Sequence, residues 1–135
     1  MTQEPPEPNP DDETILDDAR LLRRVPRGWV YRLADGGSRP FSGSFKAKPG
    51  QLSVLAEPLL HERDLTYHNA LDGLADRFLL VAVTGRQVRD LGLGIIRDPQ
   101  ADDGLRGEAH ALVTGRLSEE ARDVLASACE KLVWE

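Results

Sequence analysis

Between Arg39 and Lys48 the chain sets Arg39, Ser42, Ser44, Lys46 and Lys48 around Gly43. A guanidinium, two ammonium groups and two hydroxyls, with a glycine that admits close backbone approach, can hold a phosphate. The spacing matches no Walker loop and no dinucleotide fingerprint, so chemistry rather than a motif carries the reading. The competing reading is a surface loop pinned by Phe41 and Phe45. Arg23 and His110 complete the set that would have to share one pocket with Arg39, Ser42, Ser44 and Lys46 for a nucleotide site.

Glu108 and His110 are two residues apart in a stretch of alternating apolar residues. If that stretch is a strand, both side chains leave the same face, and the carboxylate can orient the imidazole as a base. They are the candidate catalytic pair; the plainer alternative is a solvated strand face. No G-x-S-x-G elbow is present, so a hydrolase triad has no support. His61 and His68 are seven apart, without the closer spacing and third ligand of a two-His metal site, so no metal and no cofactor is expected. Cys129 reads as a small core residue in a terminal helix.

Arg20, Arg23, Arg24, Arg27 and Arg32 surround Trp29 and Tyr31. Cations interleaved with aromatics can hold nucleic acid by charge and stacking. Strand alternation, however, sends Arg23 and Arg24 to opposite faces, and the acidic stretch upstream competes for the same cations.

Several elements must position these groups. Residues 1–13 are acidic and proline-rich, with no apolar side chain after Met1, and are expected to form a disordered tail. Residues 14–135 then form a single α+β domain. Strands are expected over Arg20–Val25, Trp29–Leu33, Leu52–Leu55, Phe78–Thr84, Gly92–Arg97 and Glu108–Thr114. Pro58 suits a helix first turn, and Gly85–Leu91 a short helix. Gln100–Gly107 reads as a mobile loop. Ser118, followed by Glu119 and Glu120, caps an amphipathic terminal helix with Ala121, Val124, Leu125, Ala128 and Leu132 at helical spacing, and Leu132-Val133-Trp134 reads either as the helix end or as a last short strand. The expected fold class is α+β: one compact domain with a twisted, mixed or antiparallel sheet and a C-terminal amphipathic helix.

The chain has 135 residues, a net charge of -6 and one cysteine. An internal disulfide is excluded, and cysteine usage points to a reducing cytoplasm. No apolar run is long enough to span a membrane. Residues 1–18 hold seven acids and no Lys or Arg, so the remaining 117 residues carry a net +1. A near-neutral body makes no general electrostatic case for nucleic acid or a membrane surface.

Taken in order, Leu22-Arg23-Arg24-Val25, Trp29, Arg39-Pro40-x-Ser42-x-x-Phe45-Lys46, Leu52-Ser53-Val54, Asp98-Pro99 and Ala109-His110-Ala111-x-Val113-x-Gly115 resemble a small bacterial domain of hypothetical proteins. The chain departs from that pattern at Gln100–Glu108, which lacks a proline before the Ala-His pair. The resemblance implies a cytoplasmic recognition or accessory module acting with a protein partner, in a defence or toxin–antitoxin-like system. The alternative is a phosphate- or nucleotide-binding enzyme or sensor. At fold level it is similar to ADP-ribosyltransferase-like proteins, with Arg23 or Arg24, Ser53, and Glu108 or His110 in their strand order. Whether the chain is an enzyme stays open at this point.

Overall fold

A computed structural model describes residues 9–134. Six strands form the main sheet: β1 (Arg20–Pro26), β4 (Leu52–Ala56), β5 (Phe78–Thr84), β6 (Gly94–Arg97), β7 (His110–Thr114) and β8 (Glu130–Val133). Their order is β6-β7-β4-β1-β5-β8, and every neighbouring pair is antiparallel. β2 (Val30–Arg32) and β3 (Ser38–Pro40) make a separate two-stranded ribbon. Three α-helices, α1 (Glu57–His61), α2 (Gly85–Asp90) and α3 (Glu119–Ala128), complete the α+β fold.

β5 is apolar from Leu79 to Val83, and all five of these residues are buried. A strand covered on both faces has no need of polar alternation. α3 packs on the 3₁₀ turn Ser42–Phe45, while α1 and the 3₁₀ segments Tyr67–Leu71 and Ala101–Ala109 pack on β1, β4 and β5. Period two along β1 separates these layers. Arg23 donates to the Ser44 carbonyl and Arg24 to the Ala70 carbonyl. α3 begins as its sequence dictates: the Ser118 hydroxyl accepts from the Ala121 N–H. Ala121, Leu125 and Ala126 are buried.

Four expectations are corrected. The tail boundary at residue 13 is too late, because residues 9–13 dock on β6; residues 1–8 lie outside the described residues. Asp12 N–H donates to the Ile95 carbonyl, Ile95 N–H to Asp11 Oδ1, and the Thr114 hydroxyl to the Pro10 carbonyl. Gly94 is required here, since a Cβ would collide with the Pro10 carbonyl. Second, the Gln100–Gly107 loop is a pair of 3₁₀ turns kinked at Asp103 and Gly104 and tied by Gln100 N–H to the Gly107 carbonyl. Third, β7 starts at His110, so Glu108 belongs to that segment and not to the strand. Fourth, α3 ends at Ala128; Val124 is exposed, and Leu132 sits in β8.

Candidate functional site

β1 and β4 pair only at Leu21↔Ala56 and Leu22↔Leu55, and beyond that point the ladder stops. Arg23 bridges the opening by donating Nη1 to the Ser53 carbonyl at 2.9 Å and Nε to the Ser44 carbonyl at 2.9 Å. A guanidinium thus satisfies carbonyls that a strand neighbour would otherwise take. No carboxylate among the described residues pairs with Arg23. Burial, and then the adjacent Arg24 guanidinium, hold its pKa below the ordinary arginine value.

Two cavities meet at Arg23 and Arg24. The larger, a cleft of about 710 Å³, lies between the sheet and the Ala101–Ala109 segment and includes Arg24, Ser53, Asp98, Asp103, Arg106 and His110 in its walls. Its charges are largely matched internally. His110 Nδ1 lies 2.9 Å from the Asp98 carbonyl and 3.1 Å from its carboxylate. Arg106 donates to Asp103 and to the carbonyls of Asn69 and Asp72. Arg24 is less well served. Its Nε donates to the Ala70 carbonyl at 2.8 Å, but its buried Nη2 has no hydrogen-bond partner, with Asp103 Oδ2 3.9 Å away.

The smaller cavity, a groove of about 420 Å³, is lined by Arg23, Arg24, Pro26, Trp29, Gly43, Ser44, Lys46 and Phe78. That lining has three cations and no carboxylate. Ser44 is 2% exposed and its Oγ has no partner among the described residues.

The anion candidates are divided by this geometry. Arg23, Ser44 and Lys46 share the groove, whereas His110 lines only the cleft. Arg39 lies elsewhere: it donates to the Ser127 hydroxyl at 3.2 Å and stands over the Tyr31 ring at 5.3 Å. Ser42 lines neither cavity. The single pocket of six residues is therefore not formed, because β3 carries Arg39 onto α3 before the chain turns toward the sheet. The expected Glu108–His110 pair is also not formed. Glu108 faces Arg63 at 3.7 Å, while Asp98, across the β6–β7 hairpin, takes the imidazole. Arg23, Arg24, Ser53 and His110 do line one cleft, but Arg23 spends two of its donors on backbone carbonyls.

His61 and His68 are exposed on separate elements, and among the described residues no cluster of His, Cys, Asp or Glu could hold a metal. Burial pushes the half-buried Cys129 thiol up to about 11, which keeps it protonated. Arg20, Arg23 and Arg24 of the arginine-rich stretch turn inward, while Arg27 and Arg32 are exposed. Arg20 forks onto Glu57 at 2.6 and 2.8 Å, and Arg27 donates to the Ala75 carbonyl.

The ribbon presents a different surface. Trp29, Tyr31 and Leu33 alternate along β2 and its flanks, and the Tyr31↔Arg39 register places Arg39 on their face with Phe41. Trp29, Tyr31, Leu33 and Phe41 are 45, 48, 37 and 42% exposed. Tyr31 and Phe41 meet edge to face at 6.1 Å. Arg39 connects this face to α3 through Ser127, one turn from the exposed Val124. The aromatic residues were visible in the sequence, but the missed strand β3 hid their common face. No helix among the described residues is long and apolar enough to cross a membrane.

Comparison with protein-family models, curated proteins and solved structures finds no match.

Proposed function

We propose that the protein is a recognition module whose ribbon face holds a protein partner. The supporting observation is the cluster of Trp29, Tyr31, Leu33 and Phe41, four large apolar side chains left exposed on one small ribbon. Singly exposed apolar residues are ordinary, but a contiguous aromatic patch is the usual mark of an interaction surface. Aromatic residues and arginine also supply most of the binding energy at such surfaces. Arg39 stands within the patch over the Tyr31 ring, so the fitting partner offers an apolar surface with a carboxylate for the guanidinium.

The test is affinity capture from native lysate with the wild-type chain, with Tyr31→Ser/Phe41→Ser, and with Leu105→Ser. Leu105 is 63% exposed on the Ala101–Ala109 segment, away from the ribbon, and controls for general stickiness. The expected outcome is one protein retained by the wild type and by Leu105→Ser and lost with the double variant, whose melting temperature stays close to wild type. Retention by all three chains would refute the reading.

A further inference from the structure

The groove of about 420 Å³ shares Trp29 with the ribbon face but not Tyr31, Leu33 or Phe41, and its lining is electrostatically incomplete. Arg23 uses Nε and Nη1 on carbonyls, leaving Nη2 without a partner among the described residues. Ser44 Oγ is buried and makes no hydrogen bond among the described residues. Lys46 is exposed and enters none of the ion pairs among the described residues. Buried polar groups are nearly always partnered, so an orphaned hydroxyl in this wall marks a place where a partner belongs. Arg23, with two carbonyls and no carboxylate paired to it among the described residues, makes the same point in charge.

An acceptor that satisfies two cations and a hydroxyl together needs several oxygens and more than one negative charge, which a phosphoryl group has. The cavity is several times larger than an orthophosphate ion, and its remaining walls are apolar: Pro26, Phe78 and Trp29. Gly43 keeps one wall low, since a Cβ there would meet nothing nearer than the Trp29 ring at 4.0 Å. We propose that this groove binds a phosphate monoester carrying a flat ring, with the phosphoryl group among Arg23, Ser44 and Lys46 and the ring against Trp29.

The same burial that leaves Arg23 without a counter-ion among the described residues holds its guanidinium pKa below the ordinary one. A bound anion removes that penalty, so binding raises the melting temperature.

The experiment is calorimetric titration of the full chain at low salt with inorganic phosphate and with adenosine monophosphate. Fluorescence is followed in a Trp134→Phe background, which leaves Trp29 as the one indole. Both probes are expected to bind, with the nucleotide about tenfold tighter or more, corresponding to one stacked ring, and only the nucleotide quenches Trp29. Lys46→Glu should weaken the nucleotide about tenfold or more, the cost of one charged contact. Lys48→Glu makes the same charge change two residues on, outside the groove, and should leave affinity within about twofold, as expected of a screened surface charge. Ser44→Ala should lower affinity while the ligand-free melt stays level or rises, because it removes an unpartnered hydroxyl. Three results would each overturn the proposal: no binding of either probe at millimolar concentration; equal weakening by Lys46→Glu and Lys48→Glu; or a nucleotide no tighter than phosphate and no quenching of Trp29.

Discussion

Asp12 shows how much one carboxylate contributes when its neighbours are in place. Oδ1 accepts from the Thr14 N–H at 2.9 Å and the Thr14 hydroxyl at 2.6 Å, and Oδ2 accepts from Arg97 at 3.2 Å. The Thr14 hydroxyl and then its N–H lower the Asp12 pKa from the ordinary 3.8, against some burial, and Arg97 adds to the lowering. A carboxyl group with a lowered folded value stabilises the fold fully above its unfolded value. That contribution is lost as pH falls through the folded value, below 3.8. Urea midpoints of the wild type and Asp12→Asn are therefore expected to differ at neutral pH and to converge in acid below that range. A constant gap at all pH values would assign the effect to shape rather than charge.

At the scale of elements, residues 9–19 act as a strap over the outer edge of β6. An exposed edge strand invites unwanted pairing, and the strap closes this one with Asp12 N–H and the Asp11 carboxylate. Arg89 in α2 holds it from the other side, donating to the Asp11 and Asp17 carboxylates and to the carbonyls of Asp12 and Ile15. Ile15 and Ala19 are buried against the body. Removing residues 1–13 takes away the Asp11 and Asp12 acceptors of Arg89, leaving Asp17 and Ile15, and uncovers the Ile95 backbone. The melting temperature of the truncated chain should fall by more than about 5 °C, on the order of 1 kcal/mol for a domain this size. An unchanged melt in differential scanning calorimetry would show that the strap contributes nothing to stability.

For the whole molecule, the sheet is a partition between two layers, and α3 with the Ser42–Phe45 turn closes one of them. Leu125 and Phe45 are fully buried there, whereas Val124, one residue away, is 44% exposed. Leu125→Ala should cost roughly 2–5 kcal/mol through lost contacts and an unfilled cavity. Val124→Ala should stay within about 0.5 kcal/mol, as exposed substitutions do. Guanidinium melts of the two variants check the pair, and similar costs would mean that the helix is rotated from this packing.

Local patterns determined which elements form. The Phe78–Thr84 strand, the Ser118-capped helix and the break at Pro26 each follow from residue type and spacing, because hydrophobic period, capping and proline geometry act over a few neighbours. Arg23, Ser44 and Lys46 stood out as candidate anion ligands from chemistry alone, and they line one groove. Partnership was decided in three dimensions. Asp98 reaches His110 only because β6 and β7 pair, and Glu108 leaves that face because the strand begins two residues later. Arg39 is drawn from the groove onto α3 by the short β3 strand, whose Ser-Arg-Pro sequence has no strand pattern. The acidic stretch at residues 9–13 has little apolar surface of its own, and it is held by hydrogen bonds and ion pairs to Arg89, Ile95 and Thr114. Those residues lie far along the chain, so composition pointed to disorder where long-range polar pairing produces an ordered strap. The division is physical: short-range terms are written in neighbouring residues, while charge pairing and cavities depend on which distant residues the sheet brings together.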